Sequence, residues 1–157
     1  MIKWWRIGLF AGMIVVFLAF LALIHLVEDQ LLDSMVSTGP DITLDGWREQ
    51  FRILATLGIG IAGGMAVLWF VLGQWVYSLN HWRDAEKRNL WLILFVLALL
   101  FGVGAGFILT PGAQEGRYWA IVFYLLNNFG VYYLATLLFS PSSYKYIPVG
   151  AMTVRHW

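Results

Sequence analysis

Four apolar runs, at residues 7–24, 53–73, 90–109 and 118–139, contain no Asp, Glu, Lys, Arg or His. A helix needs about 20 predominantly apolar residues to cross the hydrocarbon core of a bilayer, and each run is close to that length. Hydrocarbon offers no partner to a free backbone N–H or C=O, so a crossing segment satisfies these groups within a helix or a closed barrel. The runs lack the alternation of a barrel strand. The expected fold is therefore all-α: a polytopic membrane protein built as a four-transmembrane-helix bundle.

Composition agrees. The chain has 157 residues, 61% hydrophobic and 12% charged, against roughly 45–50% and 25% in an ordinary soluble domain. A globule of this size cannot bury that excess. Cysteine is absent, which excludes a disulfide framework, a thiol nucleophile and a thiolate metal site in this sequence. The opening Met-Ile-Lys-Trp-Trp-Arg before an apolar run imitates a secretory signal. No small-x-small cleavage site precedes Glu28 and Asp29, so the segment reads as an uncleaved first span.

Charge orients the bundle. Lys3, Arg6, Arg83, Lys87, Arg88, Lys145 and Arg155 fall on one side of the four spans, and Arg48, Arg52 and Arg117 on the other. Cytoplasmic loops carry the excess of Lys and Arg, so both termini are expected in the cytoplasm, with a bacterial inner membrane as the expected location. Trp4, Trp5, Trp75, Trp82 and Trp91 then lie near the inner face, and Trp47 and Trp119 near the outer. An amphipathic indole suits that headgroup depth.

The opposite side holds one sizeable segment. Leu26, Val27, Leu31, Leu32, Met35 and Val36 recur at helical spacing among Glu28, Asp29 and Asp33, which predicts an amphipathic extension of the first helix to about residue 36. Thr38-Gly39-Pro40-Asp41 breaks it, and Asp45 is placed to cap a second helix beginning near Gly46. The inner loop, about 80–89, is short and basic, and its default role is topology and anionic headgroup contact. The outer loop 111–117 is a tight Pro-Gly turn. Such short connections make successive spans antiparallel. Residues 1–139 are read as the membrane domain and 140–157 as a short, extended cytoplasmic tail, which Pro141 begins by stopping the last helix. Tyr144, Tyr146, Ile147 and Val149 give that tail apolar groups without a core, for the bilayer surface or for docking a cytoplasmic partner.

Gly58-Ile59-Gly60-Ile61-Ala62-Gly63 matches the dinucleotide fingerprint letter for letter. That motif works in the turn between a strand and a helix, whereas here it lies inside a span, so no cofactor is expected. It reads instead as helix packing. Gly60, Gly63 and Gly64, with Thr56, Val67 and Val71, share one face of span two, and Ala98, Gly102, Ala105 and Gly106 share one face of span three. Small residues let backbones approach, and the expectation is that these two faces pack against each other. In span four, Tyr124, Asn128, Tyr132 and Thr136 step by four with Asn127 beside them, a central polar face in an uncharged run. A polar group in hydrocarbon seeks a partner, and the two asparagines are expected to join helices; water in a pore is the alternative.

Other chemistry is poorly supplied. His25, His81 and His156 lie outside the spans, away from the convergent ligands that a metal or a membrane haem needs. No charged residue lies within a span, against proton-coupled transport. No nucleophile, base and orienting acid can be placed together. The expectation is a non-enzymatic multipass subunit in the lipid bilayer, assembling as a homo-oligomer or with other membrane subunits of an envelope complex, with no catalytic or metal site and no nucleic-acid partner. Secretion, conjugation, defence and respiratory machines all fit. Two alternatives are an oligomeric pore or passive carrier lined by Tyr124, Asn127, Asn128 and Tyr132, and a sensor coupling the acidic outer segment to the tail.

Overall fold

A computed structural model describes residues 4–28, 44–72, 84–109 and 114–139. They form helices α1 (Trp4–Val27), α2 (Leu44–Val71), α3 (Asp84–Ile108) and α4 (Gln114–Phe139), with no strand among the described residues. Three of them, α2, α3 and α4, are long and apolar enough to cross a membrane, consistent with an integral membrane protein, and α1 contributes a shorter apolar stretch, Ile14–Val27. Charged residues extend the helices past their apolar runs. α2 begins at Leu44, which puts Asp45 inside its first turn instead of at the cap, where a carboxylate favours the helix dipole. α3 begins at Asp84, so most of the segment read as an inner loop is helical. The expected extension of the first helix to 36 and the tail 140–157, with Tyr144, Tyr146, Ile147 and Val149, lie outside the described residues.

α4 is the central element, packed against α1, α2 and α3, while α2 also packs against α1 and α3. Helices consecutive in the chain run antiparallel, whereas α2 and α4 run parallel, with Phe51 beside Tyr124 and Gly58 beside Asn128. The bundle therefore has one end carrying Glu28, Arg52 and Leu109, and an opposite end carrying Trp69 and Trp91. Alanines fill the contacts: Ala55, Ala62, Ala66, Ala98, Ala105, Ala120 and Ala135 are fully buried. Small side chains at these positions bring helix backbones close, which gains dispersion contacts where no hydrophobic force acts between helix and lipid. The outward faces carry Ile14, Val15, Leu18, Ile53, Leu100, Phe107 and Leu126.

Rings close the two ends of this core. At the Glu28 end Trp47 stacks on Phe51, which meets Phe123 and Tyr124. At the other end Trp91 stacks on Phe95 and contacts Tyr132 and Tyr133. Trp47 and Trp91 are each only 2% exposed. They are core residues and not the headgroup anchors that their sequence positions suggested, because the helices continue beyond them and neighbouring rings enclose them. Trp119, 55% exposed, does face outward.

Candidate functional site: the buried polar face of α4

Tyr124, Asn128, Tyr132 and Thr136 recur every four residues along α4, a spacing that keeps them on one face over about 18 Å of helix. That face points into the bundle, and all four, together with Asn127, are buried. The Tyr124 hydroxyl donates to the Phe51 carbonyl of α2 at 3.3 Å. The Asn128 amide Nδ2 donates to the Ala98 carbonyl of α3 at 2.9 Å. The Tyr132 hydroxyl donates to the Trp91 carbonyl of α3 at 2.9 Å. Thr136 bonds within its own helix, to the Tyr133 carbonyl at 3.1 Å.

Each acceptor is a helix carbonyl using a second lone pair, and at Asn128 small residues on the facing helices bring the backbones within reach. Asn128 shows how. A Cβ placed on Gly58 would lie 2.7 Å from its Oδ1, and one placed on Gly102 would lie 3.2 Å from its Nδ2 and from the Tyr124 carbonyl. Two glycines on two helices thus make the slot that this one amide fills. Interhelical hydrogen bonds in apolar surroundings contribute about 0.6–2 kcal/mol each, so the three bonds to α2 and α3 are a substantial share of the adhesion of α4.

Three polar atoms on this face are not satisfied by the protein. Both Nδ2 and Oδ1 of Asn127, and Oδ1 of Asn128, are buried without a hydrogen-bond partner. Leaving such a group unpaired costs about 1–3 kcal/mol.

The glycines expected to join α2 to α3 behave differently from that expectation. Gly60 and Gly64 face outward, and a Cβ on either would meet nothing within 4 Å. Gly63 abuts the Phe17 ring of α1, and Gly106 abuts Ile121 of α4. Gly102 and Ala98 also face α4, through Asn128. The direct contact of two glycine faces is therefore corrected: span three turns its small residues to α4, and span two seats α1 and α4 on Gly63 and Gly58. The reason lies in α2 itself. Thr56, Gly58, Gly60, Ala62, Gly63, Gly64 and Ala66 place small residues almost all round the helix, so small-xxx-small spacing cannot select a face. The buried stripe is Ala55, Ile59, Ala62, Ala66 and Trp69, displaced from the stripe expected by about one position.

Sequence reasoning also missed the junction of α1 with α2. Glu28, expected in a solvated acidic segment, is fully buried and accepts a hydrogen bond from Arg52 Nε in an ion pair. The available signal was periodicity: Phe17, Leu21, Ile24 and Glu28 continue one helical stripe, and the first three pack in the core. Phe20, whose ring lies against Gly130, completes the seat of α1 on α4.

No group of three His, Cys, Asp or Glu side chains that could hold a metal occurs among the described residues. The site offers neutral amides, hydroxyls and close-packed backbone, an arrangement suited to joining helices and to hydrogen bonding with small neutral molecules. Comparison with protein-family models, with curated proteins and with solved structures finds no match for the chain.

Proposed function

We propose that this protein is a non-enzymatic integral membrane subunit, a four-span bundle of the bacterial inner membrane with both termini cytoplasmic, that works by assembly, as a homo-oligomer or with other subunits of an envelope complex. The observation that carries this reading is the direction of its polarity. The hydrogen-bonding face of α4 is turned inward, where Tyr124, Asn128 and Tyr132 bond to the chain's own helices. The surfaces left to lipid and to neighbours are apolar side chains with Gly60 and Gly64 open among them. Such surfaces support association by close packing and supply little for catalysis. The test is the native mass of the protein in lipid nanodiscs prepared without harsh detergent, with identification of whatever co-purifies. A stoichiometric oligomer or a reproducible membrane partner is expected, and a strictly monomeric, partner-free particle overturns the reading.

A second reading, a passive pore or carrier, draws support from the unpartnered amide of Asn127. Because Tyr124, Asn127, Asn128 and Tyr132 are all buried within one chain, such a path would run through a single bundle and not between copies. Solute or ion flux in proteoliposomes, abolished by Asn127→Leu, is its signature.

A further inference from the structure

We propose that Asn127 is an internal hydration site, holding one or two water molecules in the middle of the bundle, between α4 and the helices that cover it. Asn127 is 2% exposed, and neither its Nδ2 nor its Oδ1 has a hydrogen-bond partner in the protein. The next residue, Asn128, commits its Nδ2 to Ala98 but leaves its Oδ1 unpartnered. Within one turn of α4, two adjacent amides thus present one NH2 donor group and two acceptor oxygens, which water complements by donating two bonds and accepting others.

At this level the glycines are closed by neighbours, Gly58 by the Asn128 side chain and Gly130 by the Phe20 ring, so the polar atoms of Asn127 are shut off from lipid and from bulk solvent. The chemistry selects a neutral ligand. No charged side chain occurs in α4 beyond Arg117, so an ion would be desolvated without a counter-charge, while a water exchanges one set of hydrogen bonds for another. Water bound here is a structural component of the bundle, whether the subunit assembles or conducts.

Water-edited solid-state NMR on the full-length, isotope-labelled protein in liposomes tests the proposal. After selective excitation of water, polarisation should reach the Asn127 side-chain amide nearly as fast as that of exposed Asn89, and far faster than the backbone amides of buried Ala98 and Gly102. Asn127→Leu assigns the signal by removing it. Build-up at Asn127 as slow as at Ala98 and Gly102 overturns the hydration site, and this decisive comparison is made on the wild-type protein, so it does not depend on the variant folding.

Discussion

The side-chain amide of Asn128 donates to the carbonyl of Ala98 across the α3–α4 contact at 2.9 Å, in a slot whose walls are Gly58 and Gly102. The slot couples three helices, and a double-mutant cycle reads that coupling. Gly58→Ala drives a methyl group onto the Asn128 oxygen and should lower thermal stability in detergent by an amount comparable with loss of the hydrogen bond, about 0.6–2 kcal/mol. In an Asn128→Ala background, where the side chain is gone, Gly58→Ala should cost much less. Additive effects would show that the two residues do not meet.

Glycines of α2 and α3 should divide by where they face. Gly60→Leu and Gly64→Leu add a side chain to open space and remove a poor helix former, so the fold should melt unchanged or up to about 1 kcal/mol more stably. Gly63→Leu and Gly106→Leu collide with Phe17 and Ile121, and overpacking of this kind costs about 1–3 kcal/mol or more. Melting curves by differential scanning fluorimetry separate the two groups. A change of oligomeric state in Gly60→Leu or Gly64→Leu, with the melt unaltered, would place that open face in an assembly contact.

Arg52 and Glu28 tie the end of α1 to the start of α2. Arg52→Leu leaves a fully buried carboxylate without its cation and should destabilise strongly. The effect should fall below the roughly 3–5 kcal/mol of a fully dry pair, because the Arg52 side chain is 48% exposed and is partly screened by solvent. Glu28→Leu combined with Arg52→Leu should recover much of the loss. A double variant no better than Arg52→Leu alone would mean that the pair is not the source of the effect.

Tyr132→Phe and Tyr124→Phe each delete one hydroxyl and keep the ring. Tyr132 bonds to Trp91 at 2.9 Å and Tyr124 to Phe51 at 3.3 Å. The shorter bond lies within the usual O–H···O range and the longer beyond it, so Tyr132→Phe should lower the melting temperature more. Equal shifts would argue that both hydroxyls find other partners.

Particular residues show how far the chain could be read before folding. Uncharged runs at 53–73, 90–109 and 118–139 announce α2, α3 and α4, since length and polarity decide what can cross hydrocarbon. The step of four from Tyr124 to Thr136 likewise announces a polar face. Neither says which neighbour it meets. Trp47 and Trp91 resemble headgroup anchors by position, and only the rings of Phe51, Phe95 and Tyr132 around them make them core. Glu28 resembles a solvated acid until Arg52, 24 residues along the chain, comes beside it.

From sequence alone follow the helical class, the reach of the apolar helices and the presence of an uncharged polar stripe on α4, because each depends on local composition and on the period of a helix. Tertiary structure alone decided that this stripe is enclosed by the chain's own helices, that Gly58 and Gly102 grip Asn128 while Gly60 and Gly64 stay open, and that Asn127 is buried without a protein partner. Those outcomes depend on the rotation of each helix about its axis. In a helix with small residues on every side, such as α2, that rotation is set by the shapes of the neighbours and by nothing local to the helix itself.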